Sequence, residues 1–141
     1  AGQHSEALVE LLDLYPTLAD LCGLAVPDEI EGASLRPVLD DPKATVKRGA
    51  FTQHPRPAYY TGDPTVMGVS VRTDRVRYTE WRNFATGAVE AQELYDHRAD
   101  PDEHHNVIDT PPNADHLVEA RRLLEQQFPR SPWTNGPQKA R

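Results

Sequence analysis

Between Val71 and Trp81 the chain reads VRTDRVRYTEW, with alternation of residue character on both sides of Thr73-Asp74. Alternation sends successive side chains to opposite faces of a strand, and a short polar turn joins antiparallel neighbours. VMGVSVRT (66–73) and RVRYTEWRNF (75–84) therefore read as a hairpin. In its second strand Val76, Tyr78 and Glu80 face one side, and Arg75, Arg77, Thr79 and Trp81 the other. The same period is visible upstream in GAFTQH (49–54), across a Pro/Gly loop. It returns downstream in VEAQELYDH (89–97), after a turn over Asn83 to Ala88 that includes Gly87. This pattern predicts about four strands in an antiparallel meander.

The next segment, NADHLVEARRLLEQQF (113–128), changes to helical spacing. Leu117, Ala120, Leu124 and Phe128 share one face, with Val118 and Leu123 beside it. Pro112 and Asn113 mark its start and Pro129 its stop. An antiparallel sheet covered on one face by a helix is an α+β arrangement, here a module over residues 48–129. Residues 130–141 read as a disordered tail.

Ahead of residue 48 the signals differ. In SEALVELLDLYPTLADLCGL (5–24), Leu8, Leu11, Leu12, Tyr15, Leu18 and Cys22 recur at helical spacing. Pro16 forbids one unbroken helix, because it lacks the N–H that bonds back one turn. A helix over 14–22 avoids the conflict: Asp13 caps it by accepting a first-turn N–H, Pro16 sits in that turn, and Gly23 closes it. The preceding ALVEL is then either extended or a separate helical turn. So short an element cannot bury its apolar face alone, so its partner is expected outside the chain. Residues 25–47, with Pro27, Pro37 and Pro42, read as a linker holding a helical turn from Ser34 to Leu39.

Charge and composition narrow the function. A net charge of −7 over 141 residues argues against a nucleic-acid surface, which needs a clustered basic face. No apolar run approaches the roughly 20 residues that span a bilayer. Cys22 is the only cysteine, so neither an internal disulfide nor a multi-thiolate zinc site can form. ELYDHRADPDEHHNVID (93–109) gathers six carboxylates and three histidines. Nothing in its pattern makes them converge on an ion. Asp100-Pro101 starts a turn and the short side chain of Asn106 can close it, so the stretch reads as a solvated turn. No G-x-S-x-G elbow, phosphate loop or dinucleotide fingerprint is present. With 22 acids in the chain, paired carboxylates carry little information. Gln53, His54 and Arg56 lie where a strand ends at paired prolines, and loop residues at strand ends often carry function, so these three are the candidate cleft residues. Arg72, Arg75, Arg77 and Arg82 cluster on the hairpin, with Asp74, Glu80 and Asp96 as expected ion-pair partners.

Five blocks, DLYPTLADLCGL (13–24), EGASLRPVL (31–39), TQHPRP (52–57), MGVSVRTDRVRYTEW (67–81) and ELYDHRADPDEHHNV (93–107), occur in an order and spacing that resembles the C-terminal part of sulfatases. The likeness is nearest to iduronate-2-sulfatases and their bacterial relatives, in the alkaline phosphatase-like superfamily. It implies a small subdomain of about four antiparallel strands packed with a helix. Residues 1–24 would be the end of a larger α/β catalytic domain. It also implies sulfate ester hydrolysis by a formylglycine nucleophile with a calcium ion, acting on sulfated carbohydrate, in a periplasmic, secreted or lysosomal setting. The family makes its formylglycine from a C/S-x-P-S-R motif, and this chain has none; Cys22 is followed by Gly-Leu-Ala. No catalytic or metal-ligating residue can therefore be assigned here. The resemblance implies that the catalytic domain is this chain's partner, and that the chain by itself is inactive. A stand-alone carbohydrate-binding module, or the tail of a phosphoester or phosphonoester hydrolase, are the other two readings.

Overall fold

The computed structural model describes residues 2–58, 63–112 and 114–133. They fall into two compact units that divide between Ala50 and Phe51.

In the first unit a 3-10 turn, Leu11–Asp13, leads into α1, Leu14–Leu21. Residues 2–10 before it adopt no regular structure. Pro16 sits in the first turn of α1, and Gly23 follows its end at φ +68, a left-handed conformation that glycine adopts without steric cost. Leu24 donates to the Ala19 carbonyl there at 2.8 Å. Asp13 does not cap α1 as the sequence suggested. Its carboxylate is fully buried and turns the other way, accepting the Glu10 N–H at 2.8 Å and the Ala33 N–H at 2.9 Å. Lys47 pairs with it at 2.7 Å and with Glu10 at 2.7 Å. Burial alone would raise the Asp13 pKa, but Lys47 and the two amides outweigh it and hold the carboxyl below its usual range. Thr17 donates to the Asp13 carbonyl at 2.6 Å and accepts from the Leu35 N–H at 2.8 Å, which seats the start of α2, Arg36–Asp40. This unit is thus held by polar contacts, and its apolar residues point outward: Leu14, Tyr15, Leu18 and Leu21 are each more than half exposed.

The second unit is built on a four-stranded antiparallel meander in the order β1-β2-β3-β4: Ala50–Arg56, Val66–Arg72, Val76–Asn83 and Val89–Asp96. The expected hairpin is present, with Val71 opposite Tyr78 and Arg72 opposite Arg77. β3 pairs with β4 through Tyr78–Leu94 and Thr79–Glu93, with an irregularity between Trp81 and Arg82. β1 runs two residues beyond the expected end, through Pro55. Proline is tolerated there because β1 is an edge strand. The connection over residues 57–65 was expected as a loop, and its 59–62 portion lies outside the described residues, as do Asn113 and residues 134–141 of the expected tail.

α3, Ala114–Gln127, covers one face. Leu117, Ala120 and Leu124 are buried against Met67, Val69, Val71, Tyr78 and Leu94, and Phe128 meets the edge of Phe51 at 6.1 Å. Val118 turns outward instead and is 63% exposed. A polar chain runs through this layer. Tyr78 donates to Glu80 at 2.7 Å; Arg82 Nε reaches the same carboxylate at 2.7 Å, and Arg130 closes on it at 2.8 Å. Arg82 is wholly buried; its Nη1 donates to the Phe128 carbonyl at 2.6 Å, pinning the end of α3. Burial would raise the Glu80 pKa, but hydrogen bonds from Arg130, Tyr78 and Arg82 bring it below its usual value. Burial and the Glu80 charge push the Tyr78 phenol up to about 12. The network is therefore ionised at Glu80 and neutral at Tyr78 near neutral pH.

Candidate functional site

The face of the sheet opposite α3 carries three rows of side chains. Register places Gly68, Trp81 and Ala91 in the first row, Ser70, Thr79 and Glu93 in the second, and Arg72, Arg77 and Tyr95 in the third. Small residues in β2 keep the middle of this face low. Thr79 donates to Ser70 at 3.0 Å across the strands.

The three candidate residues of β1 do not share a face. Phe51 packs toward α3, and alternation puts Gln53 on that same side. His54 and Arg56 take the opposite side. Arg56 is exposed, and its guanidinium lies 3.5 Å above the centre of the Trp81 ring, a cation–π stack. Trp81 can lie flat because position 68 is glycine: a Cβ there would stand 2.5 Å from the indole. The indole N–H donates to Glu93 at 2.9 Å, fixing the ring's orientation. Backbone, indole and guanidinium thus form three stacked layers. The sequence offered one cue to this platform, a glycine inside a strand opposite an aromatic. Its pairing with Arg56 depends on β1 lying beside β2, which residue order alone does not reveal.

Two of the three acids expected as ion-pair partners, Asp96 and Glu80, do pair with arginines of the cluster. Arg75 takes Asp96 through two hydrogen bonds, at 2.8 and 2.7 Å. That pair, with the Arg98 amide, holds the Asp96 carboxyl down to about 2. Arg82 takes Glu80. Arg77 takes Glu103 at 2.6 Å, and His97 Nε2 lies 2.5 Å from the same carboxylate oxygen. Glu103 reaches them from a left-handed backbone, φ +59, in the turn after β4. Arg72, expected to pair with nearby acids, has no carboxylate within ion-pair distance among the described residues. Its guanidinium donates to the neighbouring Thr73 carbonyl, and burial together with the charge on Arg77 lowers its pKa.

The acid-rich stretch after β4 folds as the sequence suggested, as a turn. Asp100 accepts the His105 N–H at 2.7 Å. Asn106 closes the loop: it accepts the Leu94 N–H at 2.9 Å and donates to the Gln92 carbonyl at 3.2 Å. Among the described residues, no three His, Cys, Asp or Glu side chains gather to hold a metal ion. Cys22 is exposed at the end of α1. The helix-free face carries Arg56, Arg72 and Arg77, whose guanidiniums are donors suited to anions.

Comparison with known proteins adds a consistent set of likenesses. The family described as N-sulphoglucosamine sulphohydrolase, C-terminal, matches residues 1–128. Iduronate 2-sulfatase of Mus musculus is 34% identical over 146 residues, covering 76% of this chain and 26% of that protein. Delta 4,5-hexuronate-2-O-sulfatase of Bacteroides thetaiotaomicron is 37% identical over 121 residues, covering 85% and 24%. A solved structure described as in complex with its substrate D-glucosamine-2-N,6-O-disulfate superposes with a TM-score of 0.65 at 29% identity, covering 82% of this chain and 23% of that one. The chain spans about a quarter of the length of the relatives it matches.

Proposed function

Since the chain belongs to the family of sulfatase C-terminal domains, we propose that it serves as the C-terminal part of a sulfuric ester hydrolase that acts on sulfated carbohydrate, in the manner of iduronate 2-sulfatase. The observation that carries this reading is the family match across residues 1–128, which takes in the first compact unit and most of the second. In this reading the first unit is the end of the catalytic α/β domain, and the outward leucines of α1 are covered by the rest of that domain. The second unit completes the enzyme and lines one wall of the substrate cleft, with Gln53, His54 and Arg56 at the strand edge nearest to it.

The nucleophile and metal ligands lie outside this chain. The chain has no C/S-x-P-S-R motif from which a formylglycine could be made, and among the described residues no three His, Cys, Asp or Glu side chains gather as a calcium site would need. The residues here therefore fit neither group, and no chemical step is assigned to them. Their work is to bind, orient and shield. Iduronate 2-sulfatase and the hexuronate-2-O-sulfatase both act at a 2-O-sulfated uronate by their names, which makes that sugar the leading substrate.

Two measurements test the reading. The 141-residue chain, given calcium and a chromogenic aryl sulfate, is expected to show no turnover. Turnover that is abolished by a substitution within this chain would overturn the assignment. A protein in which coding sequence upstream of Ala1 is expressed in frame is expected to carry C/S-x-P-S-R and to release sulfate from 2-O-sulfated uronate disaccharides. Absence of both the motif and the activity would sink it.

A further inference from the structure

We propose that the helix-free face of the sheet binds the oxyanions of a sulfated sugar through Arg56 and Arg72, with Trp81 as the platform that presents Arg56. Only the identity of the ligand rests on the sulfatase reading; the anion site rests on the geometry of the face.

The arginines of this face are not equivalent. Arg77 is neutralised by Glu103 and Arg75 by Asp96. Arg56 and Arg72 have no such partner among the described residues. Arg56 is held instead by stacking, which uses one flat side of the guanidinium and leaves its edge free. That edge carries the five N–H donors in a fixed fork that suits two oxygens of a sulfate or carboxylate. A side chain already pinned by stacking has less freedom to lose on binding. The pinning is built from the backbone up: Gly68 makes room for the indole, Glu93 fixes it, and the indole carries Arg56.

Arg72 is unsatisfied in a different sense. It stands directly opposite Arg77 in the ladder, where like charges repel. It is half-buried, and its hydrogen bond goes to a neutral carbonyl. Burial and the Arg77 charge both disfavour its cationic form. A bound anion would relieve both costs. The charges of Glu103 and Asp74 offset these costs only in part: Glu103 is engaged by Arg77 and His97, Asp74 is at the exposed hairpin tip, and neither lies within ion-pair distance of Arg72. Gly68 and Arg72 lie four residues apart on β2, about 13 Å along the strand.

The test titrates the intact 141-residue chain, at low salt, with a heparin-derived disaccharide bearing 2-O-, N- and 6-O-sulfates, and follows backbone amides by NMR. Inorganic sulfate and the desulfated disaccharide are parallel arms. The sulfated disaccharide is expected to bind more tightly than inorganic sulfate, with the desulfated form weakest. Arg56→Gln and Arg72→Gln are each expected to weaken it roughly tenfold, the loss of one forked contact. Arg98→Gln, at an exposed arginine in the turn after β4, is expected to change nothing. If Arg72→Gln does not fold, Arg72→Lys replaces it; keeping the charge without the fork, it is expected to weaken binding by a smaller factor. No saturable binding at millimolar disaccharide, wild-type affinity in both glutamine variants, or an equal loss in Arg98→Gln each overturns the proposal. These results are separable from failure of the sulfatase reading. A longer protein that hydrolyses sulfate esters with an unchanged KM in Arg56→Gln and Arg72→Gln removes this site and leaves that reading standing.

Discussion

α1 and α3 read alike in sequence, each with apolar residues at helical spacing, yet they end in opposite situations. α3 buries Leu117, Ala120 and Leu124 under the sheet. α1 buries Pro16, Thr17 and Ala19, while Leu18 is 62% exposed. The difference lies in what each helix can reach. α3 follows four strands whose inner face is already apolar, so burying its stripe removes a large apolar area from water. α1 has around it only a linker and a short helix, and it is anchored through Asp13, Thr17 and Lys47. An apolar stripe therefore indicates that a partner exists, without saying whether the same chain supplies it.

The sharpest way to break this contrast is in the polar layer under α3. Glu80→Ala would leave Arg82 buried without its main counter-charge, and loss of one partner from such a pair costs about 3–5 kcal/mol. Thermal or denaturant unfolding of the chain should register it as a larger loss than any substitution in the apolar layer or in α1. A cost under about 1 kcal/mol would mean that the Phe128 carbonyl and Glu125 hold Arg82 without it. Leu124→Ala, at a site with no exposure, is expected to cost about 3 kcal/mol by the same measurement.

Acid offers an intermediate probe. Asp96 is held down to about 2, chiefly by Arg75, from an ordinary value of 3.8. Because its folded pKa is the lower one, it stabilises the fold fully above about pH 5, and that contribution fades as pH falls through 3.8 toward 2. The amount is on the order of 2 kcal/mol. Asp96→Asn should flatten the stability profile in that window, and an unchanged acid slope would remove the assignment. The smallest effect belongs to α1. Leu18→Ala in the isolated chain is expected to change stability by no more than about 0.5 kcal/mol, against the loss at Leu124. In the longer enzyme the same substitution should cost several times that, and an equally small effect there would argue that α1 is not covered.

Much of this fold was legible in residue order. Period two over 66–97 marked three strands, and alternation in β3 assigned its two faces correctly because the pleat allows no other arrangement. Proline and glycine marked the ends of α1, since Pro16 fits the first turn and Gly23 accepts a left-handed backbone. The acid-rich turn was likewise readable, because Asp-Pro and Asn act on their own neighbours.

Long-range pairing was not. Asp13 looked like a helix cap because capping is local, but Ala33 and Lys47, 20 and 34 residues away, claim its carboxylate. The candidates Gln53, His54 and Arg56 formed one motif in the chain and separate across a strand, since neighbours in a strand point opposite ways. The arginines could not be sorted by proximity in sequence either: Arg77 reaches Glu103, 26 positions on, and leaves Arg72 without an acid among the described residues. Short-range patterns follow from backbone sterics and need no tertiary context. Which charge meets which, and which apolar stripe is covered, depends on the strands lying side by side, because only then do distant side chains share a face.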